Sequence, residues 1–408
     1  MQFLVFLQSL LCFVIFFFIT FLYGHFFLEI NQRFYKKIKI ISVDFIKPIL
    51  GFSIIILLSY YLYFNLNLYL KEIIVIFTFL SLLILIHLQD KNIFLKFYGI
   101  LKYSIPIFFI FISYALISGE QFYIFRGNYW DNMNYLSTGL LVNEFSFTQI
   151  LEIRNDNLDY DHPLYHNGTK NIFVRPISTL ILGFFLFFKT NGVFFTNYLF
   201  KVFLIIQTFC SFYFLVSQIN IINKYFVSII FIFSFWILYI FEIDAQSQLG
   251  SISFFLCLIA LLINQSLNSI FSNKFEISIY LLLCCAFFIF YPEFYLIFTL
   301  FFISFVFLHK NFLRVIRKEK FNFLYLIIFF LLLTIPSYST NYLTLLSQSK
   351  IALDPTIDYW GYYGLFILGD TIDLISREIS YLFEKKYLAG VINLKGRLNP
   401  SINLNKII

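Results

Sequence analysis

Apolar runs at 4–22, 73–88 and 321–335 approach the ~20 residues that cross the hydrocarbon core of a bilayer. A chain built of such runs has few folds open to it. Lipid gives a backbone N–H or C=O nothing to bond to, so only helices or closed barrels span it. Charged residues are 12% of the 408 positions and hydrophobic ones 60%, too little charge to coat a soluble protein of this size. The expected fold is all-α: a polytopic transmembrane bundle with a long extracytoplasmic loop. Ten spans are read at about 2–22, 49–66, 70–89, 99–118, 193–218, 224–242, 248–268, 276–291, 294–308 and 321–340. The first run lacks a positive leading region and a small-residue cleavage site, so it reads as a retained span rather than a signal peptide.

The formal charge of +7 does not point to nucleic acid, because the basic residues collect in short loops beside apolar runs. Residues 24–48 carry Arg33, Lys36, Lys37, Lys39 and Lys47, and residues 309–320 carry Lys310, Arg314, Arg317, Lys318 and Lys320. Both loops are expected on the cytoplasmic side. The apolar stretch 177–188 decides the parity. As a helix it is roughly 18 Å long, against a core of about 30 Å. If it crossed, the two basic loops would lie on opposite sides, so it reads as re-entrant or interfacial. The five cysteines, Cys12, Cys210, Cys257, Cys284 and Cys285, all fall in apolar segments and read as small core residues.

With that parity, the polar features gather on the outer side: the loop 119–176, the turns 242–248 and 291–294, and the tail from 341. Within the loop lie Gly127-Asn128-Tyr129-Trp130-Asp131-Asn132-Met133-Asn134-Tyr135, then Asp159-Tyr160-Asp161-His162-Pro163-Leu164, then Arg175-Pro176. Residues 129–142 fit a helix that puts Asp131, Asn134, Tyr135 and Thr138 on one polar face. Its positive end favours an ionised Asp131, able to take a proton or hold a divalent cation. Asn128 and Asp131 equally fit an N-terminal cap with no chemistry. Asp156, Asp159, Asp161, His162 and His166 can bind a metal, or form a hydrated loop of ordinary turn residues. If a metal is present, Asp131, Asp161 and His162 are its candidate ligands. Arg175, Arg126 and Lys170 can grip a phosphate or anchor the interface. Lys201, roughly 12 Å into a span, can snorkel or face a wet cavity. Gln246, Gln248, Glu242, Asp244 and Glu293 land on the same outer side, where several helix ends can frame one cavity. Asn167-Gly168-Thr169 matches a glycosylation acceptor and is read as chance in a chain of bacterial-looking composition. The tail carries a helical apolar stripe (Leu365, Leu368, Ile372, Ile375, Ile379, Leu382) opposed by Asp370, Asp373, Arg377 and Glu378, read as an interfacial helix.

These motifs, taken in order, resemble the GT-C superfamily of membrane glycosyltransferases. Trp130-Asp131-Asn132-Met133-Asn134-Tyr135-Leu136 is similar to the membrane-parallel helix that opens the family's catalytic loop. His162-Pro163-Leu164 with Arg175-Pro176 resembles that loop's return, and Gln246-Ser247-Gln248 and Tyr291-Pro292-Glu293 resemble later outer turns. The resemblance covers roughly 99–340. It departs from the family in placing the loop after the fourth span rather than the first, and in a shorter chain. It implies transfer of a sugar from a polyprenyl-phosphate carrier to a glycan, lipid or protein acceptor, on the outer face of a bacterial inner membrane. Asp131 would act as base or position the acceptor, and Arg175 with Arg126 or Lys201 would hold the lipid phosphate. Asn134, Tyr135, Asp161, His162, Gln246, Gln248 and Glu293 would complete the substrate site. The rival readings are a surface-polysaccharide polymerase or ligase, and a flippase or transporter of lipid-linked glycan. The expected division is a membrane domain at 1–340 and an extracytoplasmic tail at 341–408.

Overall fold

The computed structural model describes residues 2–34, 43–88, 92–118, 129–155, 168–169, 172–173, 175–187, 193–219, 221–242, 245–264, 274–308 and 318–353. Among them all regular structure is helical. The chain divides into two compact units, Met1–Ser347 and Gln348–Ile408. The apolar stripe of the tail lies outside the described residues.

The helices are α1 (Gln2–Phe34), α2 (Lys47–Tyr60, entered through a 3-10 turn and left through a π turn), α3 (Leu70–Leu88) and α4 (Ile93–Ser118). Next come α5 (Tyr129–Glu144), α6 (Phe147–Asn155), α7 (Pro176–Phe187) and α8 (Val193–Gln218). They are followed by α9 (Lys224–Ile232), α10 (Phe235–Glu242), α11 (Gln246–Asn264), α12 (Lys274–Phe290) and α13 (Pro292–Leu308). The series closes with α14 (Lys320–Thr334) and α15 (Tyr338–Leu353). Among the described residues, seven helical stretches are long and apolar enough to cross a membrane: Leu10–Arg33, Asp44–Asn65, Leu70–Leu88, Ile93–Ser113, Phe195–Gln218, Gln246–Ile263 and Lys320–Leu346.

Three of the ten expected spans come out differently. The stretch 224–242 is broken at Phe233 and Ser234 into α9 and α10, with the Ser234 N–H turned back to the Phe231 carbonyl at 3.1 Å. Helices α12 and α13 have 17 residues each, about 26 Å at 1.5 Å per residue, slightly under the core thickness. The short helix α7 lies inside the bundle rather than along an interface. Every residue from Pro176 to Leu186 is buried, and Phe185 meets Phe16 of α1 and Phe200 of α8 at ring distances of 4.6 and 5.2 Å.

Side-chain bonds sort the helix ends into two sides. On one side Asn31, near the end of α1, donates to the Phe275 carbonyl at the start of α12 (3.1 Å), and Arg33 meets His87 at the end of α3 (3.2 Å). On the other side Tyr60, ending α2, donates to Pro336 at the end of α14 (3.0 Å). There too Asn197, opening α8, is bonded to Gln246, opening α11. Helix α13 runs back along α12, with Phe294 against Phe287 and Phe302 against Tyr280, so its end returns to the first side. Both basic segments therefore attach to helix ends on one side, as their charge requires.

The tightest crossing joins α1 and α2. An added Cβ at Gly51 would stand 1.6 Å from the Thr20 carbonyl oxygen, and one at Gly24 would stand 1.9 Å from that of Lys47. In lipid, small residues bring backbones this close and packing replaces the hydrophobic drive. Gly51→Ala forces the backbones apart and is expected to cost about 1–3 kcal/mol or more, whereas Gly99→Ala, with nothing within 4 Å, leaves stability unchanged or slightly raised. Thermal unfolding of the purified variants in detergent compares them. Sidedness is tested by labelling, with little background because all five native cysteines are buried. An impermeant maleimide added outside intact cells should label the exposed Asn65→Cys and not the exposed Lys318→Cys. The reverse pattern inverts the assignment.

Candidate functional site

The polar cluster forms where α7, α11 and α13 begin. Arg175 stands immediately before α7, Ser247 is in the first turn of α11, and Tyr291 immediately precedes α13. Both Arg175 and Tyr291 are followed by proline, which suits the first helical position because its missing N–H has no intrahelical partner there. Tyr135, in the middle of α5, completes the arrangement through its hydroxyl.

The hydrogen bonds form a ring. Arg175 Nη1 donates to the Tyr135 hydroxyl at 2.9 Å. That hydroxyl shares a bond with Ser247 Oγ at 3.0 Å, and Ser247 Oγ donates to Ser178 Oγ at 2.9 Å. Ser178 Oγ returns to the Arg175 carbonyl at 3.0 Å. The Ser247 N–H also points at the Tyr135 hydroxyl, 3.4 Å away. Four residues from three helices and one helix entry are thereby locked together. Tyr135, Ser178 and Ser247 are buried, so each broken bond strands a polar group away from water.

The electrostatics favour an anion. Arg175 carries a full positive charge, and three helix N-termini add partial positive charge within the same few ångströms. The guanidinium lies 5.5 Å from the Tyr291 ring and 6.0 Å from that of Tyr135, a cation held between two aromatic faces. Gln248 Nε2 donates to the Tyr291 hydroxyl at 3.3 Å. Burial pushes the Tyr291 hydroxyl up to about 12, against the opposing pull of Arg175, so it stays a neutral donor at physiological pH. Glu293, in the first turn of α13, interacts electrostatically with Arg175 and Tyr291, and its Oε2 is buried without a hydrogen bond.

Of the residues singled out from sequence, Tyr135, Arg175, Gln248 and Glu293 meet here. Gln246 and Lys201 sit beside the junction on the α8 flank. Gln246 is bonded to Asn197. Lys201 is almost fully buried and donates to the Phe241 carbonyl at 3.3 Å, its ammonium 4.7 Å from the Phe241 ring. It neither snorkels to the surface nor stands in an open cavity. It caps the C-terminal end of α10, where the helix dipole favours a cation. Asn134 lies in α5 one residue before Tyr135, and its carbonyl accepts from Ser137 at 3.2 Å. Asp131 belongs to α5, one helical turn before Tyr135, but its side chain lies outside the described residues. So do Arg126, Asp161 and His162, and with them the candidate metal set. Among the described residues, no three His, Cys, Asp or Glu side chains stand close enough to hold a metal ion.

Ser178 and Ser247 join the ring without a role that the sequence assigns to either. Ser247 is a small polar residue between two glutamines at a helix start, and Ser178 stands three residues after Arg175, so position alone hinted at both. Gly168 belongs to the Asn167-Gly168-Thr169 pattern. It packs against α5, where an added Cβ would come within 2.7 Å of the Ser137 carbonyl oxygen, so this segment of the loop is fitted to the helix that carries Tyr135.

The chain matches no family model, no curated protein and no solved structure.

Tyr135→Phe keeps the ring and deletes the hydroxyl that links Arg175 to Ser247. It is expected to destabilise the protein by about 1.5–3 kcal/mol, the scale of a charged hydrogen bond. Combined with Ser247→Ala it should be non-additive by about 0.5–3 kcal/mol, read from the thermal midpoints of the single and double variants. Additive losses would mean that the ring does not act as a unit.

Proposed function

We propose that this protein is a membrane glycosyltransferase of the GT-C type. It transfers a sugar from a polyprenyl-phosphate carrier to a glycan, lipid or protein acceptor at the outer face of a bacterial inner membrane. One observation carries the reading: Arg175, fixed by Tyr135 and bracketed by three helix N-termini, makes an anion-binding junction on the side opposite the basic segments. A lipid-linked phosphate at a membrane boundary has the charge and the location that such a junction suits. The order of the Asp131, His162, Arg175, Gln248 and Glu293 motifs along the chain supports the same family.

In this reading an acceptor hydroxyl oxygen attacks the anomeric carbon of the carrier-linked sugar. The bond from that carbon to the phosphate oxygen breaks, and the carrier leaves as polyprenyl phosphate. Asp131, one turn before Tyr135, takes the hydroxyl proton. Arg175 and the helix N-termini stabilise the charge growing on the departing phosphate, the kind of preorganised contribution that is often the largest single term. Gln248 and Tyr291 orient the sugar or the phosphate, and apolar helix faces hold the prenyl chain. If a divalent metal ion is bound, Asp131, Asp161 and His162 would hold it, with Asp131 then positioning the acceptor rather than taking its proton, and the ion would supply positive charge for the phosphate.

The test is sugar transfer by the purified, reconstituted protein from a polyprenyl-phosphate-linked donor. Arg175→Gln and Asp131→Asn should each lower turnover by about 100-fold or more, with the thermal midpoint checked for folding. Full transfer by Asp131→Asn removes it as the base and favours a polymerase or ligase that works through arginine. Movement of lipid-linked glycan across the vesicle wall without a covalent product favours a flippase.

A further inference from the structure

A second feature lies at the opposite end of the bundle. The helices α1, α2 and α3 leave a groove of about 670 Å³ between them, within the ~300–1,000 Å³ usual for ligand pockets. Tyr23 and Phe27 of α1, Ile54 and Leu58 of α2, and Leu83 of α3 line it, and His87 lines it at the C-terminal end of α3. Its wall is almost wholly apolar, and Leu83 and Ile86 beside it are exposed, so the groove opens toward the surroundings of α3.

The mouth is polar and organised. Arg33 Nη1 meets His87 Nε2 at 3.2 Å, and Nη2 donates to Glu29 at 2.7 Å. His87 stands edge-on against the Phe26 ring at 5.8 Å. Two hydrogen bonds thus fix a guanidinium that has five N–H donors, and its side chain remains 53% exposed. A fixed, half-exposed guanidinium suits bidentate binding of a phosphate. Past it the sequence continues with Lys36, Lys37 and Lys39, a basic run of the kind that draws anionic lipid to a membrane surface.

We propose that this groove holds an acyl chain of a resident anionic glycerophospholipid, its phosphate bound by Arg33 at the mouth. The position separates this lipid from the carrier of the transfer reaction. The carrier's phosphate belongs at Arg175, and Arg33 lies at the other ends of the helices. The bound chain completes the packing of α3, whose buried residues among those described are only Leu70, Ile73, Phe77, Ile84 and Leu88. It holds α3 against α1 where no described side chain fills the space.

The test is lipid binding to the purified full chain, by native mass spectrometry and thermal unfolding. The probes are phosphatidylglycerol and phosphatidylcholine with identical acyl chains, and polyprenyl phosphate. Phosphatidylglycerol should bind about tenfold more tightly than phosphatidylcholine, whose choline ammonium is repelled by Arg33 and offsets the phosphate charge, and raise the thermal midpoint further. Arg33→Gln should weaken both phospholipids, which share the phosphate, and phosphatidylglycerol the more, so that the two affinities converge; an unchanged thermal midpoint without added lipid reports that the variant folds. Leu83→Trp, at a partly exposed position, should fill the groove and weaken both. The proposal is overturned if the wild type binds the two phospholipids equally, if Arg33→Gln still discriminates between them, or if polyprenyl phosphate takes the site in preference to phosphatidylglycerol. None of these results depends on sugar transfer.

Discussion

Hydrocarbon gives a peptide group no hydrogen-bonding partner, and the rest of this structure follows from that constraint. Each segment inside the lipid must close its backbone bonds within a helix, so polar chemistry is confined to the places where helices begin and end. The helix starts are also where unpaired N–H groups and positive dipole ends accumulate. When the entries of α7, α11 and α13 meet, they create a positive junction before any side chain is considered. Arg175 adds its charge to a place already disposed to hold an anion, and Glu293 answers it from the first turn of α13.

Close backbone approach is the second device. Without water to drive helices together, contact between backbones must come from small residues. Gly24 and Gly51 let α1 and α2 touch at their carbonyls. That pair forms a rigid floor for Phe16, Phe52 and the aromatic rings of α7, α8 and α11 that rest on it. At the outer turn, Asn67 adopts a left-handed conformation (φ 55) and exchanges two hydrogen bonds with Thr148. This ties the link between α2 and α3 to α6, close to the helix that carries Tyr135. The site therefore stands on a frame fixed by packing below and by a turn at its edge.

The two sides of the bundle divide the proposed work. The outer junction gathers neutral donors, a guanidinium and a carboxylate, which is the equipment for handling a phosphate while chemistry proceeds beside it. The opposite side offers an apolar groove with a single organised arginine at its mouth, which is suited to holding a lipid without acting on it. The contrast lies in the surroundings of the two arginines. Arg175 is enclosed by rings and helix starts, while Arg33 is exposed and steadied by one acid and one imidazole.

The sequence by itself determined that the chain is helical and membrane-embedded, because run length and scarce charge leave no other solution in lipid. It also indicated that the polar turns gather on one side, opposite the helix ends that carry the basic segments, because loop charge and span parity are both legible in it. It did not reveal that the stretch 224–242 is two helices, since apolar composition does not register a break that the local backbone makes at Phe233 and Ser234. It placed Lys201 in a span but not at the end of α10, because the Phe241 carbonyl forty residues away is invisible to local spacing. Only the tertiary structure decided that Tyr135, Arg175, Ser178, Ser247 and Tyr291 share one junction. Hydrogen bonds act over about 3 Å, and which helix ends come within that distance is set by the packing of the whole bundle, not by any segment of the chain.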